Sequence, residues 1–118
     1  MSSVESLRDL FVWQRSIELT VALYRITQNF PAEERFGLTA QLRRAGVSIA
    51  SNIAEGHSRL TTGEYKHFLG MARGSNSEIE TQLVIATKVG FGDRSHIEEA
   101  ERLSLEVDKM LVSLIHKL

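Results

Sequence analysis

From Tyr65 to Ala86 the chain repeats apolar residues at helical spacing without losing phase: Tyr65, Leu69, Ala72, Ile79, Leu83 and Ala86. The pattern predicts one helix over about residues 62–89. Such a rod needs other rods beside it to bury its stripe. The same run carries Gly70, Gly74, Ser75, Asn76 and Ser77. Polar groups inside an apolar stripe are costly unless they bond to one another. The competing arrangement is a loop at Gly74, Ser75, Asn76 and Ser77, with Ser75 and Glu78 capping a second helix. The unbroken phase, with Asn76 at the expected inward position, favours a single helix. Thr61 and Glu64 fit a capping box at its start, and Gly90 fits its stop.

Three further helices follow from the same logic. Helix 1 is expected over about 7–29. Leu10, Trp13, Ile17 and Tyr24 form one stripe with Thr20 in the gap, and Val12, Leu19, Leu23 and Ile26 form a second. Pro31 stops or redirects the chain. Helix 2 is expected over about 38–55, on Leu38, Leu42, Ala45, Ile49 and Ile53, with Gly56 as its stop. Helix 4 is expected over about 96–118. Ser95 and Glu98 suggest its capping box, Ile97, Ala100, Ser104, Val107, Leu111, Leu114 and Leu118 its stripe, and Leu103, Met110 and Ile115 an apolar flank. Short connectors imply antiparallel neighbours, so the expected architecture is all-α, an up-down-up-down four-helix bundle in one domain spanning 1–118.

The chain has no cysteine, which excludes disulfides and thiolate metal sites and suits the cytoplasm. No run approaches the roughly 20 apolar residues that span a bilayer. Glu5, Arg8 and Asp9 interrupt any N-terminal signal-like run. The expectation is a soluble, cytoplasmic protein with no membrane partner. The net charge of -1 is unevenly spread. Between residues 35 and 73, Arg35, Arg43, Arg44, Arg59, Lys66 and Arg73 outweigh Glu55 and Glu64 by +4, and the rest of the chain carries -5. Helices 1 and 4 have apolar arcs wider than one core-facing seam requires. Surplus apolar surface points to a partner, and a second copy of the chain is the simplest one.

Arg44, Ser48, Asn52 and Glu55 share one face of helix 2. On helix 3, Arg73, Ser77 and Glu80 share a face, as do Ser75, Glu78 and Gln82. We expect a structural polar network of Arg44, Ser48, Asn52, Glu55, Arg73, Ser75 and Glu78, with Glu55 pairing to Arg73 and Asn52 bonding a helix 3 hydroxyl. The competing reading is a solvated surface face. Gly70 and Gly74 each cost about 1 kcal/mol relative to Ala in a helix, so close approach of another helix is expected there. Arg43, Arg44, Arg59 and Lys66 suggest a basic patch around the turn from helix 2 to helix 3, which would contact phosphates without reading sequence.

Signals for chemistry are sparse. Glu64 and His67 form one Glu-x-x-His pair, but a di-metal carboxylate bundle needs a second. No strand-turn-helix elbow surrounds a serine, and no glycine-rich phosphate loop follows a strand. No catalytic residue, metal site or cofactor is expected.

Several motifs together carry a resemblance. They are Asp9-Leu10 with Val12-Trp13, then Phe36-Gly37-Leu38-Thr39, Gln41-Leu42-Arg43-Arg44-Ala45, Ser51-Asn52-Ile53-Ala54-Glu55-Gly56 and Ala72-Arg73-Gly74-Ser75. The chain resembles the bacterial four-helix bundle proteins, also called 23S rRNA intervening-sequence proteins because some are encoded inside insertions in ribosomal RNA genes. The resemblance runs from about Leu7 to Gly90, and helix 4 matches in character only. It implies an antiparallel four-helix bundle assembled as a homopentamer. It also implies kinship with the accessory variability protein of diversity-generating retroelements, a basic pentamer that works with a reverse transcriptase and nucleic acid. This chain departs from that relative in its slightly negative net charge, and from the family in carrying Gly46 before Val47. The leading functional expectation is a non-enzymatic, homo-oligomeric interaction protein. The alternative is an RNA- or DNA-binding accessory protein, and a metal-dependent bundle enzyme rests on Glu64 and His67 alone.

Overall fold

The computed structural model describes residues 6–118. Its helices are α1 (Phe11–Thr27), α2 (Leu38–His57), α3 (Thr62–Val89) and α4 (Arg94–Lys117), with single 3-10 turns at Leu7–Asp9 and Ala32–Glu34. They stand in a ring, each packed on two neighbours, in the order α1, α2, α3, α4 and back to α1. The connectors at 58–61 and 90–93 are too short to run back along the bundle, so successive helices are antiparallel. The rod measures 49 × 24 × 20 Å, and the 28 residues of α3 account for most of its length. The expected bundle is observed, and α3 runs unbroken through residues 74–77.

The helix ends show where local chemistry decides. Thr61 Oγ1 accepts the Glu64 N–H at 3.1 Å, and Gly90 closes α3 at φ 82°. Three expected ends are corrected. Helix 1 does not start near Leu7: Leu10 is extended, with ψ 117°, and separates the Leu7–Asp9 turn from α1, which begins at Phe11. Gly56 does not stop α2, which continues to His57. A Cβ at Gly56 would lie 2.9 Å from Phe68 Cβ and 3.1 Å from Tyr65 Cδ1, so this glycine serves the close crossing of α2 and α3. At α4 the cap is Asp93 rather than Ser95. Asp93 Oδ2 accepts the His96 N–H at 3.2 Å and the Ser95 hydroxyl at 2.6 Å. A carboxylate is the stronger acceptor at a helix N-terminus, and the serine supports it.

The core is one cluster contributed by all four helices, including Leu23, Ile26, Leu42, Ile49, Ile53, Leu69, Ile79, Leu83, Val107 and Leu111. On α1 it is the second stripe, Val12, Leu19, Leu23 and Ile26, that faces inward. Of the first stripe, Leu10 and Trp13 are partly buried and Ile17 and Tyr24 are exposed. Surplus apolar surface is expected on helices 1 and 4; α1 exposes Phe11, Ile17 and Val21 and α4 exposes Leu105, and the structure adds α3. Met71, Val84, Ile85 and Val89 of α3 are exposed, whereas Leu103 of α4 is buried and Met110 and Ile115 pack partly against the core. The close approach expected at Gly70 and Gly74 is not made by any of the described residues. Both are exposed, and a Cβ at either would meet nothing within 4 Å.

Candidate functional site

The polar positions of α3 face two neighbours and make two separate contacts. Toward α2, the Ser75 and Ser48 hydroxyls lie 2.8 Å apart. Asn52, one turn further along α2, donates its amide to the Ser48 carbonyl at 2.9 Å and the Ser48 hydroxyl at 3.0 Å. Asn52 therefore reaches the helix 3 hydroxyl through Ser48 rather than directly. Toward α4, the Asn76 amide donates to the Ser104 carbonyl at 2.8 Å, and the Ser104 hydroxyl donates back to the Asn76 side-chain oxygen at 2.8 Å. Asn76 and Ser104 are buried.

The charged members of the expected network lie elsewhere. Glu55 pairs with Arg59 at 2.9 Å, one turn along the same chain, and not with Arg73. Arg73 reaches across to α4 and binds Asp108 at 2.9 and 3.4 Å. That bidentate contact raises the Arg73 pKa, chiefly through the hydrogen bond and then through charge attraction. The physical reason is reach. Arg73 projects from the α4 side of α3, next to Asn76, while Glu55 lies beyond the α2 seam. Arg44 and Glu78 are exposed and stand outside the seam. The network is therefore smaller than expected: Ser48, Asn52 and Ser75 belong to it, and Arg44, Glu55, Arg73 and Glu78 do not.

The expected basic patch also divides. Arg43 and Arg44 lie near the start of α2, and Arg59 follows its end. At ~1.5 Å per residue the two groups stand about 20 Å apart along the bundle. Arg59 is engaged by Glu55 and stacks over Phe68, with its guanidinium carbon 4.8 Å from the ring centroid. Lys66 is exposed on α3. Glu64 accepts the Thr61 hydroxyl at 3.0 Å as part of the helix cap, and the His67 ring packs edge-on to Phe68. Among the described residues no three His, Asp or Glu side chains gather as a metal requires. Among the described residues, the hydrogen-bond partners of the Ser48 and Ser75 hydroxyls are each other and the Asn52 amide, not a base of the kind that activates a nucleophile. No described helix is long and apolar enough to cross a membrane.

The model of the 23S rRNA-intervening sequence protein family matches residues 8–113. The chain belongs to this family. A solved structure similar to it comes from Bacteroides thetaiotaomicron, a protein of unknown function from the S23 ribosomal protein family. The two share 26% identity with a TM-score of 0.78, over 88% of this chain and 97% of that one. No curated protein matches the chain.

The motifs that carry the family resemblance hold the bundle together here. In Ser51-Asn52-Ile53-Ala54-Glu55-Gly56, Asn52 braces the seam, Ile53 is core, Glu55 holds Arg59 and Gly56 admits the crossing of α3. In Ala72-Arg73-Gly74-Ser75, Ala72 is core, Arg73 bridges to α4 and Ser75 bridges to α2. Several contacts between helices were not legible in the sequence, among them Asn76 with Ser104, Arg73 with Asp108, Arg43 with Thr27 and Arg15 with Glu106. Asn76 and Ser104 each interrupt an apolar stripe, which is the available signal, but pairing them requires the relative height of α3 and α4.

Proposed function

We propose that this member of the family is a non-enzymatic interaction protein that assembles with copies of itself, as the homopentamer that its resemblance implies. The observation that carries this reading is the groove between α1 and α2. It holds about 300 Å³ and is lined by Trp13, Ile17, Thr20, Val47, Ala50 and Ala54, among others. Ile17 and Val47 are 38% and 47% exposed in the single chain. Contiguous outward apolar surface of this kind marks a contact face. Across the bundle, the groove between α3 and α4 exposes Val84 and Leu105 beside Glu80 and Glu101. Two unlike faces on opposite sides suit a head-to-tail contact, which closes into a ring, whereas a two-fold contact pairs one face with itself.

Sedimentation of the full chain at micromolar concentration tests the reading. It expects a single species larger than a monomer. It also expects Ile17→Glu with Val47→Glu to dissociate that species while helicity is retained. A stable monomer of the unaltered chain overturns it. RNA or DNA binding has narrower support, namely the basic excess between residues 35 and 73 with Arg44 and Lys66 exposed. RNA binding at low salt that is untouched by Arg43→Glu with Arg44→Glu removes that alternative.

A further inference from the structure

The end of the bundle where α1 gives way to α2 holds a pocket of about 300 Å³ whose lining includes Arg35, Arg43, Thr39 and Gln28 and no acidic residue. We propose that this pocket binds the phosphoryl group of a small phosphomonoester, with Arg43 as its fixed anchor.

Arg43 is held before any ligand arrives. Its Nε donates to Thr27 Oγ1 at 2.8 Å, and the Thr27 hydroxyl in turn donates to the Leu23 carbonyl at 2.8 Å. Its guanidinium carbon stacks 4.5 Å from the Tyr24 ring centroid. One Nη reaches the Tyr24 carbonyl at a long 3.5 Å, so the end of α1 occupies only one edge of the guanidinium. Among the described residues no carboxylate pairs with Arg43 or Arg35, nor with Arg8, Arg25 or Arg44, whereas Arg15, Arg59, Arg73, Arg94 and Arg102 are each paired. A half-buried, oriented and uncompensated cation is a preorganised anion receptor.

The donor set selects the anion. Thr39 lies one turn before Arg43 on the same face of α2 and is buried at the pocket wall. Two guanidinium forks, a hydroxyl and an amide offer more donors than a carboxylate can accept, and suit the oxygens of a phosphoryl group. Pro31 and Ala32 form an apolar wall beside them. The volume leaves room for an organic substituent next to the phosphate. All these residues belong to one chain.

Calorimetric titration of the full chain at low ionic strength with inorganic phosphate, AMP and adenosine tests this. AMP is expected to bind and adenosine is not. Phosphate equal to AMP identifies free phosphate as the ligand, and AMP tighter than phosphate identifies a monoester. Arg43→Gln and, separately, the solvent-exposed Arg35→Gln are each expected to weaken AMP by at least about tenfold. Thr27→Val is expected to weaken it less, by releasing Arg43. Lys109→Gln, exposed on α4 away from the pocket, is expected to change nothing. The Arg35 variant keeps the test decisive if the Arg43 variant unfolds. Absence of AMP and phosphate binding, or equal weakening by Lys109→Gln and Arg35→Gln, overturns the proposal.

Discussion

Ser75 and Asn76 are consecutive residues of one helix, yet they serve different neighbours in different surroundings. Ser75 meets Ser48 of α2 in a seam whose α2 side chains are only partly buried. Asn76 meets Ser104 of α4 in a closed, reciprocal pair in which both residues are buried. A step of about 100° around α3 separates the two directions. Water can replace a lost partner at the first contact and has little access to the second. A hydrogen bond therefore matters here less for its length, which is 2.8 Å in both places, than for what remains when it is removed.

That comparison ranks four outcomes. The largest effect is expected at the sealed pair. Asn76→Ala should cost about 2–3 kcal/mol, because it removes two bonds and strands the Ser104 hydroxyl in the core. Urea unfolding measures it. Ser104→Ala in the same background should then add much less than it does alone. A cost for Asn76→Ala below about 0.5 kcal/mol breaks the comparison.

Ser75→Ala should cost about 1 kcal/mol by the same assay, since Ser48 keeps Asn52 as a partner. Equality with Asn76→Ala would show that the α2 seam is as closed as the α4 one.

The Arg73–Asp108 pair lies beside Asn76 but at the surface, with side chains 48% and 37% exposed. Asp108→Asn should cost less than about 1 kcal/mol, and the cost should shrink with added salt. Thermal melts at low and high ionic strength read this directly.

The smallest effect is expected at Asp93, which is exposed at the start of α4. Its carboxyl is held below the ordinary carboxylate range, first by the Ser95 hydroxyl and then by the His96 N–H. The depressed group stabilises the fold above the ordinary carboxylate range, near pH 4, and the benefit is lost as pH falls through the lower folded value. Asp93→Asn should therefore lower the melting temperature slightly at pH 7 and flatten its fall on acidification below about pH 4. An unchanged acid profile breaks the assignment of Asp93 as the working cap.

The seam also shows how far a sequence reading extends. All four helices, the continuity of α3 and the left-handed stop at Gly90 follow from spacing and capping signals within one segment. Ser48, Asn52 and Ser75 were recognisable because polar residues at inward positions need partners. Glu55 with Arg73 failed for a different reason. Shared faces show which way a side chain leaves its helix, but not which residue stands opposite at the same height. Gly56 illustrates the same limit. A glycine after an apolar stripe reads as a stop, and only the presence of Phe68 and Tyr65 beside it reveals a crossing.

Periodicity along the chain determined that this protein forms four rods, because burying an apolar stripe is a property of each segment and repeats every 3.6 residues. The tertiary structure alone decided which polar side chains meet, which arginines pair with a carboxylate and which apolar stripe of α1 stays outside. Those outcomes depend on the height and rotation of one rod against another, set by side-chain packing across segments distant in sequence.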